Sequence, residues 1–238
     1  MKIALIGYGK MGKAIEEIAT AQGDEVVLKI SSSGKNLFSI KNIQQAEIAI
    51  EFTKPESAVE NIKMCLDANV PVVCGTTGWL KQFDEIKDYC NQKKGTFLYA
   101  SNFSVGVNLF FALNKYLASL MSEHAEYNVS IEEVHHTQKK DAPSGTAITL
   151  AEQILEKIKI KTSWVNNETD KQSELGIISK RTGEVPGIHT IKYNSPTDVI
   201  EITHSALNRK GFASGALLAA KFIVDKKGIF TMQDVLGL

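Results

Sequence analysis

Cysteine is scarce in this chain of 238 residues: Cys65, Cys74 and Cys90 are the three present. An odd number leaves at least one thiol outside any disulfide framework, and the spacing matches no metal or thiol-redox motif. We therefore expect free, buried thiols in a reducing cytoplasm. Net charge is also lacking, because 27 Lys and Arg balance 27 Asp and Glu. Without a long-range basic field, nucleic acid and anionic lipid are disfavoured as partners, and a small molecule is favoured. No apolar stretch reaches the roughly 20 residues that cross a bilayer. The short apolar run in Met1 to Lys10 ends in a glycine cluster, so it reads as a strand rather than a secretory leader. Repeats and low-complexity tracts are missing too. What remains is ordinary globular composition, 43% hydrophobic and 23% charged, with enough length for one large or two modest domains.

The first hundred residues alternate strand and helix patterns. Ile3 to Ile6 is a short apolar run, and Met11, Ala14, Ile15, Ile18 and Ala19 then recur at helical spacing. Further strands are expected at Val26 to Ile30, Ile48 to Phe52, Val70 to Cys74 and Thr96 to Ala100. Helices are expected at Pro55 to Ala68 and Leu80 to Lys93. Strands separated by helices point to a parallel sheet with right-handed crossovers. After residue 105 the pattern changes to a long helix, Val107 to Met121, and a β-rich region. Its strands are expected at Asn128 to Val134, Ile177 to Lys180, Ile188 to Tyr193 and Val199 to His204, interrupted by a helix at Ala147 to Lys157. Trp164 to Glu174 reads as a polar mobile loop. A helix at Ala213 to Val224 and the tail through Leu236 are expected to pack back on the first domain. The expected fold is α/β: a Rossmann-like parallel-sheet domain, residues 1–106 and 210–238, and an α+β substrate and oligomerisation domain with an open mixed sheet, residues 107–209.

Gly7-Tyr8-Gly9-Lys10-Met11-Gly12 follows the first strand and opens a helix, which is the context a dinucleotide fingerprint needs. Gly7 permits the tight turn, Gly9 lets backbone approach a pyrophosphate, and Gly12 lets helix pack on strand. The helix start adds unpaired N–H groups and positive potential. The alternative is a glycine turn kept for packing alone. NAD-binding units place a carboxylate after the second strand, but here that strand runs into Ser31-Ser32-Ser33-Gly34-Lys35. Serine hydroxyls and Lys35 suit a 2′-phosphate, so NADPH should be used well. Gly75-Thr76-Thr77-Gly78 and Ala100-Ser101-Asn102-Phe103-Ser104-Val105-Gly106 also follow strand ends. Read alone, each suits a nicotinamide ribose and carboxamide as well as it suits plain turn chemistry.

The densest chemistry lies in Glu132-Glu133-Val134-His135-His136-Thr137-Gln138-Lys139-Lys140-Asp141-Ala142-Pro143-Ser144-Gly145-Thr146. Pro143 and Ser144 announce a helix start, so Ser144, Gly145 and Thr146 place N–H and hydroxyl donors where a carboxylate binds. Lys139 adds charge, and an imidazole can deliver a proton near neutrality. Taken singly, the histidines can be merely solvated or zinc ligands, Ser-Gly-Thr merely a cap, and the lysines a solvated turn. No further ligand stands at metal-site spacing, so no metal is expected.

The run His135-His136-x-x-Lys139-x-Asp141-Ala142-Pro143-Ser144-Gly145-Thr146 resembles the signature of dihydrodipicolinate reductases. The resemblance extends to Gly7–Gly12, Glu51-Phe52-Thr53, Gly75–Gly78, Ala100–Gly106, Glu201-Ile202-Thr203-His204 and Arg209–Gly215. It departs at the serine triplet, where some members carry an acid, and at a short segment between Lys157 and Thr190. The resemblance implies reduction of 4-hydroxy-tetrahydrodipicolinate by NADPH or NADH, in diaminopimelate and lysine biosynthesis, by a cytoplasmic homotetramer built through second-domain sheets. It makes His135 the proton donor and acceptor and Lys139 a proton donor. His136, Ser144, Gly145 and Thr146 would contact the dicarboxylate, with Arg209 near the hinge as an accessory. The cofactor would meet Gly7, Tyr8, Gly9, Lys10, Met11 and Gly12, then Gly75, Thr76 and Thr77, then Ala100, Ser101, Asn102 and Phe103. Ser31, Ser32 and Lys35 would take its ribose end. Two domains suggest closure on the ternary complex, with hinges near residues 105 and 209. Two rivals stay open: another two-domain dehydrogenase acting on an amino or semialdehyde acid, and a non-enzymatic NADP sensor.

Overall fold

The structure, a computed structural model, describes residues 1–31, 37–208 and 210–238. They divide into two compact units, Met1–Val105 with Lys210–Leu238, and Gly106–Arg209. The first unit begins β1 (Lys2–Ile6), α1 (Lys10–Ala21), β2 (Glu25–Ile30), α2 (Ile40–Ile43), β3 (Ile48–Glu51), α3 (Pro55–Asp67), β4 (Val72–Cys74), α4 (Phe83–Gln92) and β5 (Thr96–Tyr99). The chain then enters the second unit through α5 (Val105–Met121), β6 (Asn128–His135), α6 (Gly145–Lys157), β7 (Ser163–Val165), β8 (Glu174–Arg181), β9 (Gly187–Asn194) and β10 (Val199–Ala206). It returns to the first with α7 (Lys210–Ile223), β11 (Gly228–Phe230) and α8 (Met232–Leu236).

The first sheet has the order β11-β5-β4-β3-β1-β2, and every pairing is parallel. Its central strands are buried on both faces, which is why Ile3–Ile6 of β1 and Ile48–Ile50 of β3 read as unbroken apolar runs. Ala4 and Ile6 face one core with α3 and α4, while Ile3 and Leu5 face another with α1, α7 and α8. The chain runs from β1 outward to β2 and back across to β3, so the switch point of this doubly wound sheet lies at the end of β1. The tail does pack on this unit: Met232 is buried in its core, and β11 pairs with β5.

The second sheet has the order β10-β9-β6-β8-β7 and is mixed: β6 runs parallel to β8 and antiparallel to β9. Val129, Ile131, Leu175, Ile177, Ile191 and Tyr193 point to one face and pack on α5 and α6. The other face carries Ser130, Glu132, Thr190 and Lys192, as the pleat requires.

The short elements α2, β11 and α8 were not expected from the sequence, and two further segments differ from its reading. Trp164 lies in β7, paired with Leu175 of β8, so the expected loop begins later; the half-buried ring anchors an edge strand that polar neighbours obscure. The helix expected from Leu80 starts as a 3-10 turn, Leu80–Gln82, before α4. Trp79 donates its indole N–H to the Thr76 carbonyl at 2.7 Å and ties that approach to the preceding loop.

Candidate active site

The loops expected to hold a dinucleotide gather along one edge of the first sheet, since they follow the C-terminal ends of neighbouring parallel strands. Gly7 has φ +97°, and a Cβ there would stand 1.9 Å from the Phe52 carbonyl oxygen. A Cβ on Gly12 would meet the Gly7 carbonyl oxygen at 2.4 Å, whereas one on Gly9 would meet nothing within 4 Å. These are the three separate reasons for glycine in the fingerprint: turn, close packing and open approach. Gly9 caps α1 with no side-chain hydrogen bond, leaving its first N–H groups for a ligand. Tyr8 turns its hydroxyl onto Glu16, which also pairs with Lys29 of β2; Lys10 is exposed and Met11 packs inward. Ser31 follows β2, while Ser32, Lys35 and Arg209 lie outside the described residues.

Beneath these loops a buried polar cluster forms around Glu51, the last residue of β3. Its carboxylate receives the Thr53 hydroxyl, the Asn61 amide at 3.2 Å and the Cys74 thiol at 3.1 Å. The Thr53 N–H in turn donates to Thr76 Oγ1 at 2.7 Å. Burial first, and the Glu51 charge second, push the Cys74 thiol well up, so it remains protonated. Gly75 packs under the Phe52 ring, which lies 5.7 Å from the Phe103 ring. Thr77 and Ser101 are exposed, Ala100 and Asn102 half-buried, and Asn102 Oδ1 accepts the Ser104 N–H at 2.9 Å.

In the second unit the alternation that buries Val129 and Ile131 also turns Glu133 and His135 toward the helix-covered face. Register puts Glu133 opposite His189 on β9 and opposite Ser179 on β8, with His204 of β10 beyond His189. The apolar core layer thus gives way to an ionisable one at this end of the sheet. Glu133 Oε1 accepts the Ser144 N–H at 3.0 Å and Arg181 Nη2 at 3.1 Å. Its Oε2 lies 3.3 Å from His135 Nδ1 and 3.7 Å from His189 Nε2. Burial opposes ionisation of Glu133, but His135, His189 and Ser144 outweigh it and hold the carboxyl far below its usual range. Burial pushes His189 down, keeping it neutral, with Glu133 acting in the opposite sense. His189 Nε2 also meets Ser144 Oγ at 3.1 Å, and that oxygen caps α6 by accepting the Ala147 N–H at 3.2 Å. Glu133, His135 and His189 bring ligand atoms within 4.8 Å of one another, as a small cation site would. The Arg181 guanidinium on the same carboxylate already supplies the balancing positive charge.

Lys139 places its ammonium on both oxygens of Asp141, at 2.8 and 2.7 Å. Burial works against the Asp141 charge, yet this pair holds the carboxyl below its normal value. Arg181 fixes the same segment through the Lys139 and Asp141 carbonyls. His136 is half-buried, Ser144 is buried, and Gly145 and Thr146 open outward from the first turn of α6. The sequence-expected residues 135–146 are therefore brought together. Sequence reasoning missed the framework around them, His189 and Arg181, because cross-strand register alone delivers these. One signal was available: Glu133 stands in phase with Val129 and Ile131, and an acid on a core face needs partners.

Such a pairing of a doubly wound dinucleotide unit with a mixed-sheet unit is the architecture of a two-domain NAD(P)-dependent oxidoreductase. Residues 1–103 match the family profile described as dihydrodipicolinate reductase, N-terminus, and residues 106–236 the profile described as dihydrodipicolinate reductase, C-terminus. The chain belongs to the dihydrodipicolinate reductase family. It is 48% identical to the 4-hydroxy-tetrahydrodipicolinate reductase of Christiangramia forsetii, over 100% of this chain and 98% of that protein. It is 34% identical to the enzyme of the same name from Lawsonia intracellularis, over 99% of each. In fold it resembles dipicolinate-bound dihydrodipicolinate reductase from Paenisporosarcina sp. TG-14, with a TM-score of 0.75, 24% identity and 97% of both chains covered.

Proposed function

We propose that this protein reduces 4-hydroxy-tetrahydrodipicolinate to tetrahydrodipicolinate with NADPH or NADH, a step of diaminopimelate and lysine biosynthesis. The full-length similarity to reductases of that name supports the reaction, and one structural observation carries the site: His135, Lys139 and the open start of α6 converge on one end of the second sheet. The first unit binds the dinucleotide, and its residues fit one: the glycine turn leaves space at Gly9, and the first N–H groups of α1 are uncapped by any side chain. When bound, the reduced nicotinamide supplies the hydride. The second unit seats the substrate.

The substrate is a dianion, so its carboxylates seek N–H donors and cations. Gly145 and Thr146 offer the N–H groups of a helix start, and Ser144 a buried hydroxyl beside them. Lys139 exchanges Asp141 for a substrate carboxylate, and His136 flanks that position. Loss of water leaves a conjugated C=C–C=N system. Its reduction places electron density on an enamine-type carbon or on nitrogen, which then needs a proton. His135 and Lys139 are the acids for that proton, and holding them against an oriented substrate supplies the proximity. No helix among the described residues is long and apolar enough to cross a membrane. The free, buried thiols of Cys65, Cys74 and Cys90 suit the reducing cytoplasm. The second sheet leaves the face opposite α5 and α6 uncovered by its own unit, and this supports assembly through these sheets into a homotetramer, which analytical ultracentrifugation checks.

The test is oxidation of NADPH and of NADH, followed by absorbance, with substrate generated from pyruvate and aspartate semialdehyde. We expect His135→Gln and Lys139→Ala each to lower kcat by about 10²–10⁴-fold, while fluorescence titration shows cofactor affinity unchanged. Near-native turnover in both variants overturns the acid assignment, and cofactor binding without any turnover favours a sensor. With serines following β2 in the sequence, we expect kcat/KM for NADPH to match or exceed that for NADH; a strong NADH preference refutes this.

A further inference from the structure

We propose that Glu133 is the positioning residue for His135, fixing the imidazole as the Nδ1–H form so that Nε2 is the nitrogen that exchanges the proton. The inference rests on His135 acting as acid in the reaction above, and it goes beyond that reading by giving His135 an orienting partner and a defined tautomer.

Glu133 is completely buried, and its two oxygens are unequal. Oε1 is clamped by the Ser144 N–H at 3.0 Å and by Arg181 Nη2 at 3.1 Å. Oε2 has no well-aligned hydrogen bond, although it lies 3.3 Å from His135 Nδ1, which is equally unpartnered. An ionised carboxylate only accepts, so the proton between these two buried atoms belongs to Nδ1. A modest rotation of the ring completes the bond. The second imidazole does not compete for this place: His189 Nε2 is farther from Oε2, at 3.7 Å, and nearer to Ser144 Oγ, at 3.1 Å. At the opposite side of the His135 ring, Nε2 lies over Gly187, where a Cβ would come within 3.0 Å. The absence of a side chain there keeps Nε2 from being crowded. The clamp has a second consequence. Because Oε1 holds the N-cap of α6, one carboxylate sets both the acid and the helix start that seats the substrate.

Glu133→Gln is the informative variant. Its amide oxygen still accepts from Ser144 and Arg181, while its NH₂ faces Nδ1 and donates to it, which forces the Nε2–H form. In an analogous setting, an orienting acid changed to its amide leaves geometry intact and selects the wrong tautomer. We expect kcat to fall by about a hundredfold or more, with KM for substrate changed by less than about threefold. Glu133→Asp should retain more kcat than Glu133→Gln; a packing role alone ranks the isosteric Gln higher. Ring ¹⁵N shifts from histidine-labelled native protein should show His135 as Nδ1–H, and those of Glu133→Gln as Nε2–H. An Nε2–H form in the native protein overturns the proposal, and this measurement needs no variant to fold. Native-like kcat in Glu133→Gln, with His135→Gln inactive, also overturns it while leaving the proposed reaction standing. Normal turnover in His135→Gln removes the acid assignment and the orienting role together.

Discussion

Gly187 lacks a side chain for a reason that its own backbone does not supply, since its φ is not in the left-handed region. Its neighbour is the reason: an added methyl would stand 3.0 Å from His135 Nε2 and 3.3 Å from Cδ2. Gly187→Ala should therefore fold, displace the imidazole by a few tenths of an ångström, and lower kcat by roughly tenfold with cofactor affinity unchanged. Steady-state kinetics beside a cofactor titration checks this, and unchanged kcat would show that the ring has room. In the first unit, Glu51 holds Thr53, Asn61 and Cys74, and Thr53 holds Thr76. Glu51→Ala removes the acceptor these groups share and should raise KM for the dinucleotide while leaving substrate KM unchanged. Legibility at this scale divides by distance along the chain. His135, Lys139, Ser144, Gly145 and Thr146 stand within one local run, so the sequence could mark them together as a candidate site. His189 and Arg181 lie on other strands, and nothing local to either marks it as a neighbour of Glu133.

At the scale of elements, small residues decide how closely the returning chain can approach. Along α7, Ala213, Gly215, Ala216, Ala219 and Ala220 are buried against the first sheet. Gly215 is the tightest point, because a Cβ there would lie 1.8 Å from the Phe103 carbonyl oxygen. That contact is with backbone and cannot yield by a side-chain rotation. Gly215→Ala should cost about 1–3 kcal/mol of stability by overpacking, read from urea unfolding. It should also weaken dinucleotide binding, since Phe103 ends one of the loops expected to hold it. Most elements were legible because their periodicity is strong: four residues in a row are buried in β3, and β6 alternates along its length. The elements missed are short: α2 has four residues, α8 five, and β7 and β11 three each. Ser163–Val165 sits among polar residues, and Gly228–Phe230 begins with glycine. Each is a strand only because a longer neighbour, β8 or β5, offers an edge to pair with.

For the whole molecule, the distribution of shifted groups dictates where acid acts first. Among the described residues, the groups held away from ordinary values that lie between pH 5 and 7 are His189 and His204, both in the second unit. Burial lowers both below 6.5, and for His204 repulsion from His189 adds to it. A histidine with a depressed folded value binds its proton more readily in the unfolded chain. As pH falls through 6.5, the unfolded state therefore gains protons that the native state refuses, and stability declines. The carboxylates act later. Glu133 and Asp141, like Asp24 in the first unit, are held below ordinary values of 4.5 or 3.8, so their contribution is lost only beneath those values. Calorimetric melting between pH 7.5 and 5.5 should thus show a falling midpoint for the second unit and a nearly constant one for the first. His189→Gln removes one of the two titrating imidazoles, so it should flatten that slope even if it lowers the midpoint at pH 7.5. An unchanged slope in the variant would place the acid sensitivity elsewhere than in the imidazole layer beside Glu133.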